Sequence, residues 1–254
     1  MFSMAYWQSF IEALIAAQQD LIQREAQSIE EAAKVIAESL RRGGILHMFG
    51  CGHSHLLPEE AFYRSGGLAA INPLLDPSLM FHEGAEKSIT LEKMEGYATR
   101  FVVPKYDLRP DDVMMVFSAS GRNNAPIEMA LAAREKGLYT IGVTSNAYSD
   151  AYPSRHASGK HLRDVVDLVL DHDVPPGDNL VEIAEKPELG TTGGASTILA
   201  MIIVNAVLAQ VIQNFVLAGE DPPMIRCPNV GSEKAALEAN AKTFERYRSR
   251  IAHL

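Results

Sequence analysis

The chain has 254 residues, 47% of them hydrophobic, and a net charge of −9 from 23 basic and 32 acidic residues. That apolar content fills a core and excludes a disordered chain. An acidic balance with no basic run excludes a nucleic-acid-binding surface, so any affinity for an anion has to be local.

The opening segment, Met1 to Trp7, has no basic n-region and no long apolar run, so no signal peptide is read there. Residues 9–40 carry Ile11, Leu14, Ile15, Leu21, Ile22, Ile29, Val35, Ile36 and Leu40 at helical spacing, which predicts one amphipathic helix. Arg41-Arg42-Gly43-Gly44 stops it. A strand is predicted over 45–49 and a helix over 56–64, with Pro58 in its first turn. Gly66-Gly67 breaks that helix, and 68–71 reads as a second strand. After a proline-bearing loop comes an exposed helix over 82–94, then strands over 113–117, 138–143 and 165–170 with a helix over 125–136 among them. Residues 173–194 read as irregular, 195–218 as a helix, and 232–251 as a polar C-terminal helix.

Apolar strands alternating with helices predict an α/β fold, a parallel sheet covered on both faces. No repeat or linker divides the chain, so 1–254 reads as one domain with a helical extension over 1–42 and a C-terminal helix over 232–254. The most apolar stretch, 198–217, is interrupted by Asn205, Gln210, Gln213 and Asn214, so it reads as a buried helix and not a membrane span. The two cysteines, Cys51 and Cys227, make no disulfide framework and fit a reducing cytoplasm.

Two loops stand out. Gly50-Cys51-Gly52-His53-Ser54 follows the first strand, and Ser118-Ala119-Ser120-Gly121-Arg122-Asn123-Asn124 follows the third. Glycines permit positive φ and close backbone approach, while serines and asparagines add donors beside the free N–H groups of a helix start. That combination holds an anion, most often a phosphate. In open α/β sheets ligands bind beyond the carboxyl ends of the strands, where both loops lie. The bland alternative is that both are mere turns.

The first loop is not a dinucleotide fingerprint: position 55 is His55 where a third glycine belongs, and no acidic residue follows at ribose distance. Nor is it a P-loop, since no Gly-Lys-Ser/Thr follows. His47, Cys51, His53 and His55, with His82 or His172 as extra ligands, invite a zinc reading, but no closed Cys/His set can be assembled from them. No metal or other cofactor is expected.

Gly-x-Gly-x-Ser after one strand and Ser-x-Ser-Gly after a later one, with Asp-Leu-Arg-Pro-x-Asp leading in over 107–112, resemble the sugar isomerase (SIS) domain family across roughly 40–215. Pro58 to Gly67 and the 181–205 region resemble, more narrowly, bacterial SIS-domain proteins labelled phosphosugar isomerases. The resemblance implies a three-layer sandwich around a five-stranded parallel sheet, flavodoxin-like or Rossmann-like. It also implies a homodimer or homotetramer and a sugar phosphate or amino-sugar phosphate as ligand. Ser54, Ser118 and Ser120 match the family's phosphate-binding serines, whereas Asn123 stands where the family has Ser or Thr.

Isomerising such a sugar requires a base near the carbon alpha to its carbonyl. Glu60 is preferred over its neighbour Glu59, because the two face different directions on the helix after the first loop. The ordinary alternative is a solvated first-turn glutamate favoured by the helix dipole. Glu86, in His82-Glu83-Gly84-Ala85-Glu86, resembles the Glu-Gly-Ala-Glu stretch of muramic-acid-phosphate etherases, or is simply a solvated helix start. His55 is an acid/base candidate or a helix cap. The heptose isomerases of the family also use a histidine on the long late helix, and residues 198–204 offer none. The expected function is phosphosugar binding with aldose–ketose isomerisation. The alternatives are an amino-sugar-phosphate etherase or lyase and a non-catalytic sensor. By the same resemblance, Glu233 or Lys234 reaches a neighbouring subunit's pocket.

Overall fold

A computed structural model of the chain describes residues 5–254. The segment Met1 to Met4, on which the signal-peptide reading partly rests, lies outside the described residues. In chain order the elements are α1 (Tyr6–Arg24), α2 (Ala26–Arg41), β1 (Leu46–Gly50), α3 (Leu56–Ala61), β2 (Ile71–Pro73), α4 (Ala85–Glu92), β3 (Val113–Phe117), α5 (Asn124–Glu135), β4 (Tyr139–Thr144), α6 (Asn146–Ala151), β5 (Leu168–Asp171), β6 (Asn179–Glu182), β7 (Thr191–Gly194), α7 (Ser196–Leu217) and α8 (Glu233–Glu245).

Five strands form one parallel sheet in the order β2-β1-β3-β4-β5. Strand side chains alternate between faces, and the apolar runs divide accordingly. Leu46, Met48, Met115, Phe117 and Val143 pack under α2 and α7, together with Ile36, Leu40, Ile203 and Val207. Phe49, Met114 and Val116 face the opposite way, against Ile127, Met129 and Ala130 of α5 and Val102 and Leu162 of the connections. Both faces are therefore covered, and three layers result, as the alternation predicts. Helix α7 is long and apolar enough to cross a membrane by length and composition. Here Leu199, Ile203, Val204, Val207 and Val211 are buried in the first of these cores.

The long N-terminal helix is two helices. The break falls at Glu25, where no glycine or proline announces it. Beside the break, Arg24 pairs with Asp20 and reaches to 3.9 Å from Asp171 at the end of β5. The second strand sits at Ile71–Pro73, and Leu68 instead bridges Met224. Proline is tolerated there because β2 is an edge strand. Helix α3 ends at Ala61, three residues early, with Phe62 already extended. Helix α4 is likewise shorter than 82–94, beginning after Gly84.

The stretch 173–194 contains the antiparallel pair β6–β7. This hairpin packs on α1 at Gly193, whose φ is +82° and where a Cβ would come within 2.6 Å of the Phe10 ring. Helix α8 ends at Glu245. The chain then turns so that Tyr247 and Ile251 are buried and Arg250 reaches Asp107 and Asp112.

Candidate functional site

The first loop leaves β1 at Gly50 and closes as a short 3-10 turn, Gly52–His55. A Cβ on Gly50 would fall onto the backbone carbonyl of Ser54, so only glycine allows this closure. Gly52 adopts φ +56° and the Ser54 N–H donates to the Cys51 carbonyl at 3.0 Å. Cys51 is buried, and that burial pushes its thiol well above the usual range, with the Glu92 and Asp76 carboxylates adding to the effect. A thiol so held is no nucleophile. His53 packs edge-on to Phe81 at 4.7 Å between ring centroids.

His55 is buried, and its Nε2 has no hydrogen-bond partner. Burial lowers its pKa, the Glu59 carboxylate at 3.7 Å opposes this, and His82 adds to the lowering. Glu60 forms an ion pair with Arg64 one turn on. Glu86 lies exposed in the first turn of α4. Glu233 and Lys234 are exposed on α8.

The second loop is bolted down by its carbonyls. Ser145 N–H donates to Ala119 O at 3.0 Å, Ser149 Oγ to Ser120 O at 3.2 Å, and Leu162 N–H to Gly121 O at 2.7 Å. Gly121 has φ +61°, and a Cβ there would come within 2.8 Å of Thr144 Oγ1. The Gly121 N–H also donates to Ser118 Oγ at 3.2 Å. Asn123 opens α5 in an extended conformation without a side-chain cap. The first-turn N–H groups of α5 are thus claimed by no capping side chain, at the positive end of the helix dipole.

Asn123 does not cap because both ends of its amide are engaged. Nδ2 donates to Glu92 Oε1 at 2.8 Å, and Oδ1 accepts from Arg155. Asn124 Nδ2 donates to the Lys93 carbonyl at 2.8 Å. The two asparagines brace α4 against α5, which leaves their backbone N–H groups for an anion. Burial raises the Glu92 pKa, and the Asn123 hydrogen bond opposes it. Sequence reasoning missed Glu92, since nothing local marks it.

Both loops meet at one small cavity, lined by Ser54, Leu57, Phe117, Ser118, Ala119 and Val143, and closed by His172, Ser196, Thr197 and Ala200. The loops named from sequence are therefore brought together, and Ser54 and Ser118 share the cavity. Glu59, Glu60, Glu86 and His55 are not among its lining residues.

Three polar lining residues were not read as part of this site. Ser196 and Thr197 follow the Thr-Thr-Gly-Gly run of β7 at the start of α7, a glycine-then-hydroxyl signal of the same kind as the two loops. His172 follows β5 directly, is 3% exposed, and has an Nδ1 without a partner. Burial lowers its pKa to about 4; Asp178 opposes this and Arg24 adds to it. At α7 a carboxylate takes the helix N-terminus directly, since Asp178 accepts from the Ser196 N–H at 2.6 Å and from Ser196 Oγ at 2.9 Å, whereas at α5 Glu92 binds only the Asn123 side chain. Among the described residues no cluster of three or more His, Cys, Asp or Glu side chains is placed to hold a metal ion.

A family model described as SIS domain matches residues 9–145. The chain is 43% identical over 232 residues to a UPF0309 protein of Geobacillus kaustophilus, covering 91% of this chain and 90% of that one. In fold it resembles phosphoheptose isomerase from Neisseria gonorrhoeae, with a TM-score of 0.56 and 18% identity over 80% of this chain and 95% of that one. It also resembles the Vibrio vulnificus NanR protein complexed with ManNAc-6P, with a TM-score of 0.50 and 12% identity over 99% of this chain and 72% of that one.

Proposed function

This chain belongs to the SIS domain family, and from that premise we propose that it binds a phosphorylated sugar across its two glycine loops, in the cytoplasm, and interconverts its aldose and ketose forms. The observation that carries this reading is the uncapped N-terminus of α5 beside Ser118, next to a cavity ringed with hydroxyl groups. The phosphate is held at α5, where unclaimed N–H groups and the helix dipole favour an anion. It is not held at α7, where Asp178 already sits. In support, one structurally similar protein is a phosphoheptose isomerase and another is complexed with ManNAc-6P.

Isomerisation moves a proton from the carbon alpha to the carbonyl onto its neighbour, so one base must release what it takes. Among the candidates His55 fits best. Its Nε2 has no hydrogen-bond partner, burial lowers its pKa, and the Glu59 carboxylate, 3.7 Å from the same Nε2, would favour the imidazolium that forms. Glu60 is the weaker choice because Arg64 holds it.

The test has two stages. Thermal shift against fructose 6-phosphate, arabinose 5-phosphate and N-acetylmannosamine 6-phosphate, with unphosphorylated fructose as control, should stabilise the protein only with the phosphates. Incubation in deuterated water should then exchange the alpha proton, and His55→Gln should abolish that exchange while binding persists. Absence of any stabilisation would sink the reading. With a muramic acid phosphate added to the panel, release of its C3 ether substituent would make it an etherase. A non-catalytic sensor is favoured by one observation, that none of the four candidate catalytic residues lines the cavity; binding without exchange would establish it.

We also infer a homodimer or homotetramer. Ile198, Met201 and Ile202 present an apolar groove of about 420 Å³ on α7, and Thr197 belongs both to this groove and to the ligand cavity. A second copy covering the groove would border the site. A monomer in sedimentation would refute the assembly.

A further inference from the structure

We propose that His172 is a sugar-reading residue, accepting or donating a hydrogen bond through Nδ1 to a single hydroxyl group of the sugar that enters the cavity between the two loops and α7. This rests on the phosphosugar reading above and names a contact within it.

Three observations carry the assignment. The first is the orphaned atom: a side chain with 3% exposure holds Nδ1 away from water with no partner. Buried polar atoms are almost always paired, and each exception asks for a reason. Its backbone offers no alternative explanation, since the His172 N–H already donates to the Thr144 carbonyl at 3.1 Å. The second is the chemistry of the walls. Ser54, Ser118, Ser196 and Thr197 supply hydroxyl groups, Leu57, Phe117, Val143 and Ala200 supply apolar surface, and no charged side chain lines the cavity. A phosphate dianion placed there would be desolvated without a compensating cation, whereas a hydroxyl group requires one donor and one acceptor. The third is size. The cavity has room for roughly one water-sized body, which admits a hydroxyl but not a phosphoryl group.

The imidazole is suited to this task because burial keeps it neutral at physiological pH. A neutral ring offers Nδ1 as donor or acceptor according to tautomer, so it pairs with a hydroxyl without placing a charge in the core. The phosphate remains at the uncapped N-terminus of α5. A site built to hydrogen-bond one hydroxyl discriminates against a sugar that lacks it, because the protein atom is then left unpaired.

The full chain, carrying isotope-labelled histidine, is titrated with fructose 6-phosphate, arabinose 5-phosphate, N-acetylmannosamine 6-phosphate and inorganic phosphate, and binding is followed in parallel by calorimetry. The His172 signal is assigned by its loss in His172→Asn. The expected result is a shift of the His172 Nδ1 resonance with a sugar phosphate that binds, and none with inorganic phosphate. His172→Leu should weaken that sugar phosphate about tenfold and leave inorganic phosphate unchanged. His172→Asn, whose amide reaches the position of Nδ1, should recover most of the loss. Calorimetric binding of a sugar phosphate without movement of the Nδ1 signal overturns the inference and leaves the phosphosugar reading standing. A shift with inorganic phosphate also overturns it, placing the anion in the cavity. If none of the four compounds binds, the phosphosugar reading fails and the inference fails with it. The resonance is read on the wild-type protein, so a His172→Leu variant that does not fold leaves the test intact.

Discussion

Two buried histidines sit at opposite edges of the same sheet, and they are built differently. At the amino edge His47 is fully buried, with Nε2 3.0 Å from Asp112 Oδ2 and Nδ1 3.0 Å from Asn72 Nδ2. Asp112 also accepts from the backbone N–H of Ile45 and of Arg109, both at 2.9 Å, and from Arg250 at 2.6 Å. Burial opposes its ionisation, but these hydrogen bonds, led by His47, hold its pKa down to about 2. At the carboxyl edge His172 has no partner for Nδ1. The first histidine ties β1, β2, β3 and the C-terminal segment together. The second leaves a valence open where both glycine loops converge. A histidine with both ring nitrogens engaged holds a fold, whereas an unpartnered ring nitrogen beside a cavity awaits a ligand.

Substitutions should separate the two edges. The largest effect is expected at Asp112. Replacing it with Ala strands Arg250 and His47 in the core and should cost about 3–5 kcal/mol of stability, read as a drop in denaturant midpoint at unchanged slope. If Asp112→Ala unfolds no more easily than the wild type, the amino-edge cluster is not structural.

Acid should then distinguish the edges by window. His172 has a folded pKa of about 4 against an ordinary 6.5. The unfolded chain therefore binds more protons between those values, and stability falls by about 3 kcal/mol as pH drops through that window. Asp112 is the depressed-carboxylate case. Its stabilisation, about 2 kcal/mol, is present above pH 3.8 and is lost as pH falls toward 2. Stability curves of His172→Asn should have a shallower upper slope, to which His55 still contributes, and keep the lower one, while Asp112→Asn should do the reverse. A single slope shared by both variants would erase the distinction.

Smaller effects are expected at the ligand edge. Gly50→Ala, whose Cβ would press on the Ser54 carbonyl, should cost about 1–3 kcal/mol of stability and weaken sugar-phosphate binding as well. Ser118→Ala removes one hydroxyl and should lower sugar-phosphate affinity by up to about tenfold with little change in melting temperature. Glu86→Gln, on an exposed first turn, should alter neither stability nor binding measurably. Loss of proton exchange in that variant would move the chemistry to α4 and away from His55.

Much of this molecule was legible in its sequence because the signals are local. Apolar runs such as Val113–Phe117 form strands buried on both faces, and the positive φ values at Gly52 and Gly121 need glycine wherever they occur. Those features located the first, third and fourth strands, the two loops and the family resemblance, while the edge strand β2 lies later than the sequence suggests. What only the tertiary structure decided depends on groups far apart in the chain. A helix that periodicity leaves continuous is broken at Glu25, with the neighbouring Arg24 reaching 3.9 Å from Asp171. Asn123, read as a phosphate donor, instead gives its amide to Glu92 and Arg155, each about thirty residues away. Asp178 fills the N-terminus of α7, whereas α5 has no side-chain cap. Above all, His172 carries no motif, and it becomes notable only when folding buries its ring beside Ser54, Ser118 and Ser196 and supplies no partner for Nδ1. Local backbone preference is written residue by residue, whereas the absence of a partner is a property of the whole surrounding shell, and that shell exists only in the folded chain.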